Sequence, residues 1–140
     1  RSHGATINFS DLIGKQILVI YFYPKDDTPA CTKEACSFLD SHADFADLGC
    51  KVIGISSDSV AAHLKFAEKY RLNFTLLADE KGAVRKAFGV PRTLFGILPG
   101  RVTYIIDKKG TIQGVFNSMT DPLGHIAHAL ETVRALQSVD

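Results

Sequence analysis

The sequence predicts an α/β fold in which a central mixed sheet of about five strands is flanked by helices. Short apolar runs rich in β-branched and aromatic residues recur along the chain, helical patterns separate them, and two such runs near the end flank a tight-turn sequence. With 140 residues, 46% of them hydrophobic, the chain has the size of one domain that can bury a core without covalent crosslinks.

The first half of the chain alternates predicted strands with predicted helices. Three continuous apolar runs are expected to be strands buried on both faces, at residues 17–23, 52–56 and 74–78. Strands joined through helices of this length favour parallel neighbours with right-handed crossovers. Apolar residues at helical spacing predict the two helices between them, with stripes formed by Phe38, Phe45 and Leu48 and by Leu64, Phe66, Ala67 and Tyr70.

The second half changes from helix crossovers to a hairpin. The apolar runs at 102–106 and 112–116 flank Asp-Lys-Lys-Gly at 107–110, a turn sequence that predicts an antiparallel pair. Asp121 and Pro122 suit the N-cap and the first position of a last helix. The resulting order, β-α-β-α-β-α-β-β-α, is typical of a thioredoxin-like domain.

Charge and hydropathy exclude several classes of protein. The 16 basic and 15 acidic residues nearly cancel and form no long run of one sign, so nucleic acid is not an expected partner. The longest apolar run, at 17–23, has about a third of the roughly 20 residues that a membrane helix needs, so no membrane span is expected. Three cysteines are too few and odd in number for a disulfide scaffold, which favours redox chemistry or simple burial.

Two segments are set apart from the predicted elements. Residues 1–4 are expected to be a tag or an N-terminal remnant, with a single domain over residues 5–140. Residues 92–100 are apolar but contain glycine and proline, and we interpret them as a hydrophobic loop beside a site.

A cysteine follows the first predicted strand at the start of a predicted helix. Thr28 and Pro29 are suited to the N-cap and the first helical position, so Cys31 is expected at the third residue of the helix. Unpaired N–H groups and the helix dipole stabilise a thiolate in a first turn. The sequence therefore predicts a nucleophilic cysteine at the edge of the sheet.

A second cysteine, Cys36, lies five residues further along the same predicted helix. In a regular helix the two Cα atoms are about 8.6 Å apart, whereas a disulfide needs less than about 7 Å. If the two cysteines pair, the first turn or two must unwind. We therefore expect Cys31 to react in the folded helix and Cys36 to trap its oxidised form after local unfolding.

The pattern Pro24-x-x-x-Thr28-x-x-Cys31, with Cys36 and the downstream segment that begins at Arg101, resembles the peroxiredoxins of the Q type, also called bacterioferritin comigratory proteins. The resemblance implies that Cys31 is the peroxidatic and Cys36 the resolving cysteine. It further implies that Arg101 supplies positive charge to the thiolate and the peroxide oxygens. Thr28 would hydrogen-bond the sulfur and the peroxide, and Pro24 would shield the sulfenate from water.

The same resemblance implies the reaction and its partners. Hydrogen peroxide and alkyl hydroperoxides would be the substrates, thioredoxin or glutaredoxin the reductant, and no cofactor would be required. Members of this group occur in the bacterial cytoplasm and in plastids, and the resemblance favours a monomer.

Two other classes remain open from the residues. A thioredoxin-type disulfide reductase would carry C-x-x-C, whereas four residues separate Cys31 from Cys36. A non-enzymatic module of thioredoxin-like fold would keep the cysteines for redox sensing or partner capture. Peroxide consumption by the reduced protein distinguishes the three hypotheses.

Several other polar residues are given structural interpretations. Cys50 belongs to no motif and is expected to be a spectator. Residues 25–27 are interpreted as a polar loop, with one of their side chains a candidate for tuning the pocket. His125 and His128 lie three residues apart, but no third ligand with suitable spacing accompanies them, so no metal site is predicted.

Overall fold

The computed structural model describes residues 14–88, 92–93, 98–99, 101–118 and 121–139. The described residues form one five-stranded sheet and one short antiparallel pair. The large sheet has the order β3-β2-β1-β6-β7 and the small pair consists of β4 and β5. The strands are β1 Ile17–Phe22, β2 Cys50–Ser56, β3 Thr75–Ala78, β4 Arg92–Thr93, β5 Leu98–Pro99, β6 Val102–Ile106 and β7 Ile112–Asn117.

The centre of the sheet is β1, as its continuous apolar sequence predicts. It pairs in parallel with β2, where Ile17 lies opposite Cys50, and antiparallel with β6, where Leu18 lies opposite Ile106. All six of its residues are buried. The predicted hairpin of β6 and β7 is also present, and Gly110 in its turn adopts a φ of 85°, which glycine tolerates without strain.

Five helices are described around this sheet: α1 Pro29–Asp40, α2 His42–Asp47, α3 Val60–Tyr70, α4 Ala83–Phe88 and α5 Pro122–Val139. Alternate residues of β1 belong to two core clusters. Val19 and Tyr21 pack in a cluster that includes side chains of α1, α2, α3 and α5, and Ile20 packs in a second cluster that receives Val84 and Phe88 of α4. The mixed α/β fold and the order of its main elements along the chain are therefore as predicted, with the helix α2 and the short strands β4 and β5 in addition.

The helices differ from the sequence expectation at two places. The stripe proposed for Phe38, Phe45 and Leu48 is divided between α1 and α2, because Ser41 separates the two helices. On α3 the buried face contains His63, which is fully buried, whereas Leu64 is 42% exposed. The apolar pattern therefore assigned Leu64 to the buried face, whereas the adjacent residue His63, which has a polar ring, occupies that position.

Part of the sequence interpretation lies outside the described residues. This holds for residues 1–4 and for most of the apolar segment 92–100, in which the backbones of β4 and β5 are described. Among the described helices, none combines the length and the apolar character needed to cross a bilayer.

Candidate active site

The start of α1 positions a buried thiol. Cys31 is the third residue of the helix, as predicted, and is 2% exposed. Thr28 occupies the N-cap position with extended backbone, but its side chain makes no capping hydrogen bond; its hydroxyl donates to the carbonyl oxygen of Lys25 at 2.9 Å. The capping mechanism assumed from the sequence is therefore wrong in detail, although the helix starts where Thr28 and Pro29 indicate.

Arg101 brings a fixed positive charge to this thiol from 70 positions away in the chain. Its Nη2 donates to the Sγ of Cys31 at 3.3 Å, and its Nη1 donates to Oε1 of Glu34 at 2.6 Å. The arginine is only 3% exposed and precedes β6, next to β1 in the sheet. The structure thus brings together Cys31 and Arg101, two of the residues that the sequence motif singled out.

Glu34 is a member of the site that sequence reasoning missed. It is fully buried one turn after Cys31 on the same helix, and its Oε2 has no hydrogen-bond partner among the described residues. Burial raises the pKa of its carboxyl to about 8, against the opposing effect of the Arg101 charge and hydrogen bond. The signal in the sequence is the spacing of three from Cys31, which places both side chains on one helix face.

His125 of α5 lies beside Oε2 of Glu34, the carboxyl oxygen that Arg101 does not contact. Its Nε2 donates to the carbonyl oxygen of Ser118 at 2.8 Å, so its Nδ1 accepts from the hydroxyl of Thr103 at 2.7 Å. Burial lowers the pKa of the imidazole to about 4, which keeps it neutral at pH 7. Nδ1 lies 3.7 Å from Oε2 of Glu34, beyond hydrogen-bond distance.

Tyr21 of β1 completes the wall of the site. Its hydroxyl is buried and has no hydrogen-bond partner within the described part of the chain. Burial, followed by the charges of Glu34 and Cys31, raises the pKa of this phenol. The ring lies against Gly54 of β2, where an added Cβ would be 2.8 Å from the ring atom Cζ. The phenol is therefore neutral and sits in a space that glycine provides.

Cys36 is separated from Cys31 by intact helix. It is half-buried, and burial together with the charge of Asp40 raises the pKa of its thiol. Both cysteines are free in a helix that runs without a break from Pro29 to Asp40. The geometric expectation that they cannot bond in the folded helix applies to this state.

The remaining candidates are more distant from this cluster. Cys50 begins β2, half-buried, and burial raises the pKa of its thiol to about 12, which agrees with an unreactive residue. Pro24 is half-buried in the bend that follows β1.

The segment between β1 and α1 is more than the polar loop predicted for residues 25–27. Asp26 is only 8% exposed and accepts a hydrogen bond from the hydroxyl of Tyr23 at 2.5 Å. Asp27 adopts a φ of 57° and contacts α3 through Lys69 at 2.8 Å and the hydroxyl of Tyr70 at 2.7 Å. These contacts hold the segment against α3.

His63 of α3 is the buried partner of Asp26. Its Nε2 lies 2.9 Å from the carbonyl oxygen of Leu77, which can only accept, so this nitrogen carries a proton. Its Nδ1 lies 2.6 Å from Oδ2 of Asp26, which requires a second proton between these two atoms. Asp26, Asp58 and His63 bring possible metal-ligand atoms within 4.8 Å of one another, but those of Asp26 and His63 are engaged in hydrogen bonds.

Comparison with known proteins identifies relatives of this chain. The AhpC/TSA family matches residues 1–115. The chain is 51% identical over 133 residues to the Peroxiredoxin Q, chloroplastic, of Triticum aestivum, which covers 95% of this chain and 61% of that protein. It is also 51% identical over 136 residues to the protein of the same name from Sedum lineare, covering 97% and 71%.

A solved structure of a related protein has the same fold as this chain. The crystal structure of Peroxidoxin BcpB from Mycobacterium tuberculosis superposes with a TM-score of 0.84 at 40% identity, covering 91% of this chain and 84% of that one. The chain spans less than two thirds of the length of the Triticum relative. The family match and these similarities show that the chain belongs to the AhpC/TSA family, in its peroxiredoxin Q group.

Proposed function

We propose that this chain is a thiol peroxidase that reduces hydrogen peroxide and organic hydroperoxides. The observation that carries the proposal is the contact of the Arg101 guanidinium with the Cys31 sulfur in the first turn of α1. A helix N-terminus and a fixed cation both favour a thiolate. The names of relatives that share about half of their residues with this chain support the same activity.

In the first step the Cys31 thiolate attacks one peroxide oxygen, the O–O bond breaks, and the other oxygen leaves with the electron pair and gains a proton. The product at Cys31 is a sulfenic acid. Charge develops on the leaving oxygen, and the fixed N–H donors of Arg101 are suited to stabilise it in a site with little water.

Thr28 and Pro24 complete the proposed peroxide pocket. Because the Thr28 hydroxyl already donates to Lys25, its lone pairs are available to accept a hydrogen bond from the O–H of a peroxide. We expect Pro24, in the bend after β1, to limit the access of water to the sulfenate.

In the second step the Cys36 thiol attacks the Cys31 sulfur, water leaves, and a disulfide forms. The raised pKa of Cys36 keeps it protonated while α1 is folded. Opening of the first turns of α1 therefore has to bring the two sulfurs together and expose Cys36. A thioredoxin or glutaredoxin would then reduce the disulfide, with this chain acting as a monomer, and the names of its relatives favour a plastid as its location.

The decisive experiment compares three variants of the reduced protein. Cys31→Ser should abolish peroxide consumption, because the nucleophile is lost. Cys36→Ser should consume one equivalent of peroxide and then stop, since thioredoxin-dependent recycling needs the disulfide. Cys50→Ser should turn over like the unmodified protein. Intact mass and thiol counting before and after one equivalent of hydrogen peroxide provide the measurement.

The outcomes distinguish this proposal from the two alternative classes. Unchanged peroxide reduction by Cys31→Ser would end the proposal. Reduction of insulin disulfides without peroxide consumption would indicate a disulfide reductase, and neither activity would indicate a non-enzymatic module. After oxidation of the unmodified protein, the loss of two hydrogens with one free thiol left is the expected result.

A further inference from the structure

One buried cation serves two acidic groups at the start of α1. Arg101 donates to Glu34 through one nitrogen and to Cys31 through another. All three side chains are almost wholly buried, with exposures of 3%, 0% and 2% respectively. Burial of two anions beside one cation would leave a net charge out of contact with water, which is strongly unfavourable.

The groups that face Glu34 from every packed element add no second positive charge within the described residues. Arg101 and Thr103 approach from the β6 region, His125 from α5, Tyr21 from β1 and Cys31 from α1. His125 is a neutral imidazole and Tyr21 a neutral phenol. The cluster is therefore neutral when Glu34 and Cys31 together keep one proton.

The geometry indicates which group holds that proton when Cys31 is a thiolate. Oε1 of Glu34 accepts from Arg101, but Oε2 has no hydrogen-bond donor among the described residues. The Nδ1 of His125 lies 3.7 Å from it, and because this nitrogen accepts from Thr103 it has no proton to donate to Oε2. A negative charge on Oε2 would be unsatisfied, whereas a protonated carboxyl avoids that charge.

We propose that Glu34 is a proton-holding residue of the peroxidase reaction: it is a neutral acid while Cys31 is a thiolate, and it ionises when peroxide removes the thiolate charge. This inference rests on the peroxidase function proposed above. The raised pKa of Glu34 agrees with it.

The proposed step balances in atoms, electrons and protons. The thiolate donates its electron pair to one peroxide oxygen, and the O–O bond breaks. The leaving oxygen gains one proton and becomes water or an alcohol, while Glu34 loses one proton and becomes a carboxylate. Arg101 then has a single anionic partner, Glu34, beside a neutral sulfenic acid. Return of Cys31 to the thiolate reverses the change, and Glu34 is protonated again.

Infrared difference spectroscopy on the Cys36→Ser protein tests this inference directly, because this variant stops at the sulfenic acid. One equivalent of hydrogen peroxide should remove the carbonyl stretch of one protonated carboxyl group and produce carboxylate bands. Glu34→Gln in the same background should lack this change, and Glu131→Gln, at an exposed position of α5, should retain it. Labelling with ¹³C-glutamate shows that the band belongs to a glutamate, and Glu34 is the one buried glutamate among the described residues, so the assignment does not rely on the folding of any Glu34 variant.

Proton uptake gives a second measurement at pH 7. A pH indicator in weak buffer should report about one proton more taken up from solution per oxidised Cys31 in Glu34→Gln than in the parent protein. If the sulfenic acid forms, as a mass increase of one oxygen, but the protonated carboxyl band persists, the inference about Glu34 is wrong. If no sulfenic acid forms at all, the proposed peroxidase function fails instead.

Discussion

Two buried clusters of ionisable groups flank the start of α1, and they differ in how well their hydrogen bonds are satisfied. The first, here the closed cluster, consists of Tyr23, Asp26 and His63. Each ring nitrogen of His63 has its own partner, and Asp26 accepts from Tyr23 and shares a hydrogen bond with His63. Such a satisfied group favours one geometry, and it holds the segment before α1 against α3.

The second, here the open cluster, consists of Cys31, Glu34, Arg101 and His125. Its cation, Arg101, is shared between Cys31 and Glu34. Oε2 of Glu34 and Nε of Arg101 have no hydrogen-bond partners among the described residues. Unsatisfied buried groups destabilise a fold, so they indicate a site where a substrate or a change of charge supplies what is missing. The closed cluster therefore fixes the backbone before α1, whereas the open cluster has buried groups left for a ligand or a change of charge to satisfy.

The largest expected effect in the open cluster comes from its cation. Arg101→Met should lower the second-order rate constant for peroxide by about 10²- to 10³-fold, because a fixed donor to the developing charge is lost. Arg101→Lys, the matched control, keeps the charge but not the planar two-sided donation, and should recover only part of the rate. Stopped-flow kinetics with hydrogen peroxide measures both. A rate constant for Arg101→Met within threefold of the parent protein would contradict the comparison.

In the closed cluster the expected effect is on stability. Asp26→Asn should lower the free energy of unfolding by about 3 kcal/mol, because it leaves the buried imidazole of His63 without its carboxylate. The double variant Asp26→Asn/His63→Gln should recover part of this loss, since it removes the imidazole that the single variant leaves without its partner. Urea unfolding of Asp26→Asn, His63→Gln and the double variant gives the coupling energy between the two side chains. Additive losses would show that the pair does not act as a unit.

The smallest effect concerns His125 and depends on pH. Its folded pKa of about 4 lies below the ordinary histidine value, so the unfolded chain binds a proton there at a higher pH than the folded chain. The contribution of His125 to stability should therefore fall as the pH falls through this window, by about 1 kcal/mol between about pH 7 and pH 5.5. Glu34, whose folded pKa of about 8 lies above its ordinary value, contributes with the opposite sign in both proteins, so the difference between them isolates the histidine. His125→Asn should remove this contribution and so change the slope of stability against pH by that amount, and equal slopes for both proteins would show that His125 binds its proton at the same pH in the folded and the unfolded chain.

The parts of this structure that the sequence could predict are those determined by residues close to one another in the chain. Continuous apolar runs identified the buried strands, and the Thr28-Pro29 pair placed Cys31 in a first helical turn. Arg101 could be predicted as a site residue only from the family resemblance, because nothing in the sequence around it distinguishes it from a solvated strand residue. Its contact with Cys31 depends on the pairing of β1 with β6.

Polar residues at buried positions were the residues that sequence reasoning missed. His63 occupies the α3 position that an apolar stripe would assign to a hydrophobic residue, and Leu64 was chosen in its place. Glu34 and His125 are likewise buried through contacts between distant elements. A polar side chain is stable in such a place only when a tertiary partner meets it, and that partner is not encoded in the local pattern.

The absence of a side chain at residue 54 links the scaffold to the chemistry. Tyr21 lies opposite Gly54 in the paired strands, with its ring over the bare backbone. Even a methyl group there would lie within 2.9 Å of both the Tyr21 ring and the Leu76 side chain, so these side chains would have to move. Residue 54 and Tyr21 are therefore coupled across the two strands, and an alanine in the interior of β2 would change the position of a side chain in the wall of the candidate site.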